Sequence, residues 1–100
     1  MRTRTVVERI GESMGPVDWT HVTAADKPDS WRDAEANPSA YRYESSGGGS
    51  FQVVELCMYD GWPYWEPRPA IAYIGPLGGV EWAHFNSYAV GPNSLRKVAP

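Results

Sequence analysis

Cysteine is almost missing from this chain: Cys57 stands alone among 100 residues. No disulfide can close within the chain, whereas small secreted domains often depend on such bridges, so a reducing compartment is expected. Long apolar runs are missing too. The opening "MRTRTVVERIGESMG" carries charge but no apolar stretch of signal-peptide length, and nowhere do about 18 apolar residues follow one another. These absences predict a soluble, cytoplasmic protein. Histidine is scarce, with only His21 and His84, widely separated and lacking a Cys or carboxylate at ligand spacing, so no metal site is expected.

The chemistry of catalysis is similarly thin. Cys57 falls among Val54, Leu56 and Met58, with no basic neighbour or helix start to activate its thiol, and reads as a buried structural residue. The glycines of "SSGGGS" lack the lysine and following helix that a phosphate cradle needs, and read as a flexible hairpin loop. Glu55, Asp60, Glu66 and Glu81 could supply a carboxylate pair for hydrolysis, although such pairs also arise by chance. A non-enzymatic protein without catalytic residues or cofactors is therefore expected. Lysine is rare as well, two residues against seven arginines, which beside abundant Gly, Ala and Pro suits a GC-rich bacterial or phage genome.

Aromatic rings are what the chain has in excess, with five Trp and six Tyr. Such rings supply large contact area at little conformational cost. The apolar fraction of 42% and charged fraction of 21% are those of an ordinary globular chain, and the length fits one domain spanning residues 1–100 with a thin core. A net charge of -3 disfavours a phosphate-binding surface. Between Glu12 and Glu44 seven acids face three bases, an acidic stretch that is either a solvated face or a match for a basic partner.

The pattern divides the chain near residue 40, with a helix and an irregular acidic segment before it and an antiparallel sheet over residues 41–100. In "TVVERIGESMGP" the Thr5 and Glu8 spacing, the apolar face of Val6, Val7, Ile10 and Met14, and the Gly15 and Pro16 stop predict a helix over residues 5–14, with an N-terminal strand "RTVVERI" as the rival that the β-branched pair also permits. "VDWTHVTAA" alternates and reads as a short strand. "PDSWRDAEANP" offers Asp29 or Ser30 as a cap and Pro38 as terminator for one or two helical turns. "SAYRYES" and "SFQVVELCMYD" make a hairpin across "SSGGGS", and "PAIAYI" with "GVEWAHFN" makes a second across "GPLGG". In "SFQVVELCMYD", alternation puts Val54, Leu56 and Met58 on one face and Phe51, Val53, Cys57 and Tyr59 on the other, as in a central strand.

The reading is α+β, an N-terminal helix packed on a three- to four-stranded antiparallel meander. The alternative is a small SH3-like twisted barrel with an N-terminal extension. There an aromatic "DGW", a glycine turn and a last short strand in "SLRKV" resemble SH3-like or Tudor-like barrels over about half the chain, without a diagnostic motif.

One stretch stands out for function. "DGWPYWEPRP", residues 60–69, holds three rings and three prolines, and the prolines favour an irregular surface connection between strands ending near Tyr59 and beginning near Ala70. Consecutive rings on an extended backbone cannot all point inward. One ring can cap the end of the sheet, while the others, with Asp60, Glu66 and Arg68, make an anchor of the Trp, Tyr and Arg kind that dominates interfaces. The expected binding set is Asp60, Trp62, Tyr64, Trp65, Glu66 and Arg68. The expected function is a small protein-binding module, a phage or mobile-element product that inhibits a host protein. A glycan or methylated-peptide binder is the alternative, with stacking on single-stranded nucleic acid through Arg2, Arg4, Arg9, Arg96 and Lys97 behind it. An open edge at Tyr41 to Glu44 also offers a route to a homodimer.

Overall fold

The computed structural model describes residues 13–22, 29–61, 66–85, 90 and 93–98. Among them five strands form one open antiparallel sheet: β1 (Tyr41–Glu44), β2 (Ser50–Tyr59), β3 (Arg68–Ile74), β4 (Val80–His84) and β5 (Leu95–Lys97), in the order β4-β3-β2-β1-β5. With one helix, α1 (Asp29–Ala36), and two 3-10 turns, the arrangement is α+β. Two expectations change. The sheet has five strands instead of three or four, and it is open, with β4 and β5 on opposite sides, so the barrel alternative fails. The short strand expected within "SLRKV" does form, but it pairs with β1. The Tyr41 to Glu44 edge proposed for a homodimer is therefore occupied from within the chain.

Both hairpins turn in the same way. Ser45 N donates to Gly49 O at 2.8 Å and Gly48 N to Ser45 O at 3.0 Å, and Gly75, Gly78 and Gly79 repeat the pattern at 2.8 and 3.0 Å. The fourth turn residue is Gly48 in one hairpin and Gly78 in the other, with φ of +97° and +90°, a conformation that a side chain disfavours. Pro76 occupies the second turn position, where its fixed φ fits. In the first loop the Ser45 hydroxyl also accepts from the amides of Gly47 and Gly49 at 3.2 and 3.3 Å, so the triglycine tip is tied down by hydrogen bonds.

β2 is central, as its two covered faces imply, but its faces are not those of simple alternation. The register with β3 shifts between Val53 and Glu55. A bulge adds one residue at Val54 and reverses the parity of everything before it. Phe51 and Val53 therefore join Leu56 on the core face, Val54 is exposed at 41%, and Glu55, Cys57 and Tyr59 take the other face. A second correction concerns Pro69, which lies within β3 opposite Met58. Its carbonyl accepts from Phe85 N at 3.0 Å, so its ring nitrogen faces the same side, just beyond the last residue of β4. The missing donor falls where pairing has already stopped.

The core lies on one face of the sheet. α1 presents Trp31 and Ala34, one turn apart and both fully buried, against Phe85, Tyr41, Leu56, Ile71 and Leu95. Trp31 meets Phe85 with ring centroids 4.8 Å apart. An eight-residue helix is only about 12 Å long and cannot cover the whole sheet. Tyr43, Phe51 and Tyr73 cover the hairpin end instead, with Tyr43 and Tyr73 centroids 4.6 Å apart and Phe51 and Tyr73 5.3 Å apart.

The segment before α1 departs from the strand expected there. Trp19–His21 forms a 3-10 turn, because Asp18 accepts from Thr20 N at 3.1 Å and from the Thr20 hydroxyl at 2.6 Å. Glu35 of α1 then holds the segment, accepting from Val17 N at 2.7 Å and from Trp19 Nε1 at 2.8 Å. Most of the helix expected over residues 5–14 lies outside the described residues. Its last two residues, Ser13 and Met14, run beside β2 instead: Ser13 bridges Tyr59, and Met14 N donates to Met58 O at 2.8 Å.

Candidate protein-binding surface

The face of the sheet opposite α1 is built on small residues. Ala70 and Ala72 of β3 are buried there and alternate with the core-facing Ile71 and Tyr73. In register, Ala70 lies between Cys57 and His84, and Ala72 between Glu55 and Trp82. Methyl side chains on the middle strand leave room for large ones from its neighbours. Tyr59 of β2 and Trp82 of β4 use that room, stacking across β3 with centroids 4.3 Å apart and planes within 7°. His84 joins them with its ring 5.2 Å from Tyr59. The Trp82 indole Nε1 is buried without a hydrogen-bond partner among the described residues.

Burial shifts two titratable groups on this face towards their neutral forms. Burial pushes the Cys57 thiol up to about 11, so at neutral pH it stays protonated. Burial likewise holds the His84 imidazole below its ordinary value; a hydrogen bond to the Tyr59 backbone works the other way, and the nearby Arg68 charge adds to the lowering. Cys57 and His84 flank Ala70, which puts their backbones two strand spacings, about 10 Å, apart.

Of the six residues expected to bind, Trp62, Tyr64 and Trp65 lie outside the described residues. The other three flank the aromatic cluster. Asp60 follows Tyr59 at the end of β2 and is half-buried. Arg68 opens β3 opposite Tyr59, and its Nη2 donates to Glu66 Oε1 at 2.7 Å on the surface. The structure thus brings the ends of the proline-rich connection beside Tyr59, Trp82 and His84, which sequence reasoning had not grouped with it. Of the bases expected to gather for nucleic acid, Arg2, Arg4 and Arg9 lie outside the described residues. Arg96 pairs with Glu44 at 3.0 Å and Lys97 with Asp33 at 3.1 Å.

Two apolar residues missed in the sequence project at the far end of the β3–β4 hairpin. Leu77 is 96% exposed and Val80 48%. Leu77 is the third residue of a turn that points away from the sheet, a position legible in "GPLGG" once the turn type is known. Val80 and Trp82 share a face of β4, so an apolar strip runs from the hairpin towards the stacked rings. Comparison with protein-family models, with curated proteins and with solved structures gave no match.

Proposed function

We propose that this chain is a protein-binding module that docks through the β3–β4 side of its sheet. The observation that carries the reading is the apolar projection at the hairpin, Leu77 and Val80, backed by the packed Tyr59 and Trp82 rings. A rigid element presenting a large apolar side chain to water costs solubility, and such patches mark contact sites on small proteins. The proline-rich connection adds the charged pair Glu66 and Arg68 at the opposite end of the same strands. Trp62, Tyr64 and Trp65 enter this proposal from their sequence context alone. Glycan stacking has less support, since the facing surfaces of Tyr59 and Trp82 are spent on each other.

The setting expected from composition, a phage or mobile-element product that blocks a host protein, belongs to the same proposal. Affinity capture from bacterial lysate tests it, with the wild-type chain set against Leu77→Asp combined with Val80→Asp, and against a Trp62, Tyr64 and Trp65 alanine triple. Loss of a specific protein with either folded variant supports the reading and names the partner. Equal capture by all three chains rules this surface out.

A further inference from the structure

The two sides of the sheet end differently. In the ladder between β3 and β4, Gly75 N bonds Gly79 O at 2.8 Å and Phe85 N bonds Pro69 O at 3.0 Å. Hydrogen-bonded pairs alternate along an antiparallel ladder, so Glu81 and Ala83 turn their main-chain groups towards β3. Val80 and Trp82 turn theirs outward, away from the sheet, with no strand beyond them among the described residues.

At the other side, β5 is three residues long and carries Arg96 and Lys97. Short length and basic side chains are the usual protection of an edge against a further strand. β4 has neither: it is five residues long, and its one formally charged side chain is Glu81, exposed on the strand.

Resting on the protein-binding reading, we infer that β4 is the docking strand and that its occupant is an extended segment of a partner protein carrying a basic residue between two apolar ones. The register dictates this pattern. Partner residues opposite Val80 and Trp82 exchange paired main-chain bonds and lay apolar side chains on the Trp82 face. The residue opposite Glu81 sits in the closer, non-bonded pairing, with its side chain on the Glu81 face, where a Lys or Arg complements the carboxylate. At β5 the carboxylates of Glu44 and Asp33 are already engaged by Arg96 and Lys97, so the basic residue of the segment gains no carboxylate there and the charge difference between the edges favours β4.

The test uses a capped probe peptide, Ser-Thr-Val-Lys-Ile-Thr-Ser, followed by amide shifts of the labelled protein. Binding is expected to move the Val80 and Trp82 amides and leave Leu95 to Lys97 unmoved. Replacing the probe lysine by Glu should weaken binding about fivefold, and Glu81→Lys in the protein should reverse that preference. N-methylation of the probe's Val and Ile blocks both donors aimed at β4 and should weaken binding at least about tenfold. Val80→Pro should weaken binding comparably, since it removes a donor that β3 does not use.

No probe binding at millimolar concentration overturns the inference. So does binding with no charge preference, shifts centred on β5, or sedimentation showing β4 already covered by a second copy. A captured partner that Val80→Pro and Glu81→Lys leave bound ends the strand-docking inference while protein binding stands. Loss of all capture with the hairpin variants, beside probe binding as expected, supports both.

Discussion

β5 and β4 border the same sheet, yet they are held in place by different kinds of interaction. β5 is fastened by polar contacts to α1 and to β1: Asp33 of α1 accepts from Lys97 at 3.1 Å and from Tyr41 of β1 at 2.8 Å, and Arg96 reaches Glu44 of β1 at 3.0 Å. β4 is fastened by rings, with Trp82 on Tyr59 on one face and Phe85, just past its end, on Trp31 on the other. Charges hold a short strand while guarding it, because the same lysine and arginine that anchor β5 discourage a newcomer. Packed rings give β4 rigidity but no such guard. A strand with no neighbour beyond it among the described residues is suited to meeting another chain, and one anchored by ion pairs is suited to closing the fold.

The most damaging way to break this contrast is to remove the layer that serves both sides. Trp31→Ala should cost about 3–5 kcal/mol in denaturant unfolding, and both edges should lose amide protection together; a loss under about 1 kcal/mol would show that α1 contributes little to the core. Trp82→Ala should act on one side only, costing about 1–2 kcal/mol through the lost stack and half-buried area. Thiol labelling of Cys57 reports it, because a buried thiol on the same face reacts only when that side opens. Slow labelling in the variant, equal to wild type, would mean the rings do not seal β4.

Acid should separate the sides further. The His84 imidazole is held below its ordinary value by burial, so the folded chain resists a proton that the unfolded chain accepts. Its contribution to stability is full above about pH 6.5 and is lost as pH falls through the folded-state value. His84→Gln should flatten the stability profile in that window, and an unchanged profile would shift the acid response elsewhere. The smallest effect belongs to the guarded edge. Asp33→Asn should speed exchange of the Arg96 amide while leaving β4 amides unchanged, since hydrogen bonds from Tyr41 and Lys97 are what hold the Asp33 carboxyl below its usual range. Equal acceleration at both edges would erase the distinction.

Local signals carried much of the fold. Pro38 marks the end of α1, and the two glycine-rich turns announce both hairpins because positive φ leaves few other residues at Gly48 and Gly78. What escaped was set by contacts distant in sequence. "VDWTHV" alternates like a strand, yet Asp18 folds it back onto Thr20 and Glu35 pins it from another element. The bulge leaves no mark in "FQVVEL", since either valine suits either face until β3 fixes the register. The site was half legible for the same reason. "DGWPYWEPRP" advertises its rings, whereas the pairing of Tyr59 with Trp82 depends on strands whose register no local motif states.

The extra residue at Val54 also divides the chain's tolerance for change in length. Loops such as Ser45 to Gly49 can gain or lose residues with only local repair. Deleting Val54 from the middle of β2 would only remove the bulge, leaving Phe51, Val53 and Leu56 on the core face in simple alternation with Gln52 and Glu55 on the other. Sequences descended from this one should therefore drift in length at the hairpin tips and at Val54, while keeping the count along the unbulged β3 strand fixed.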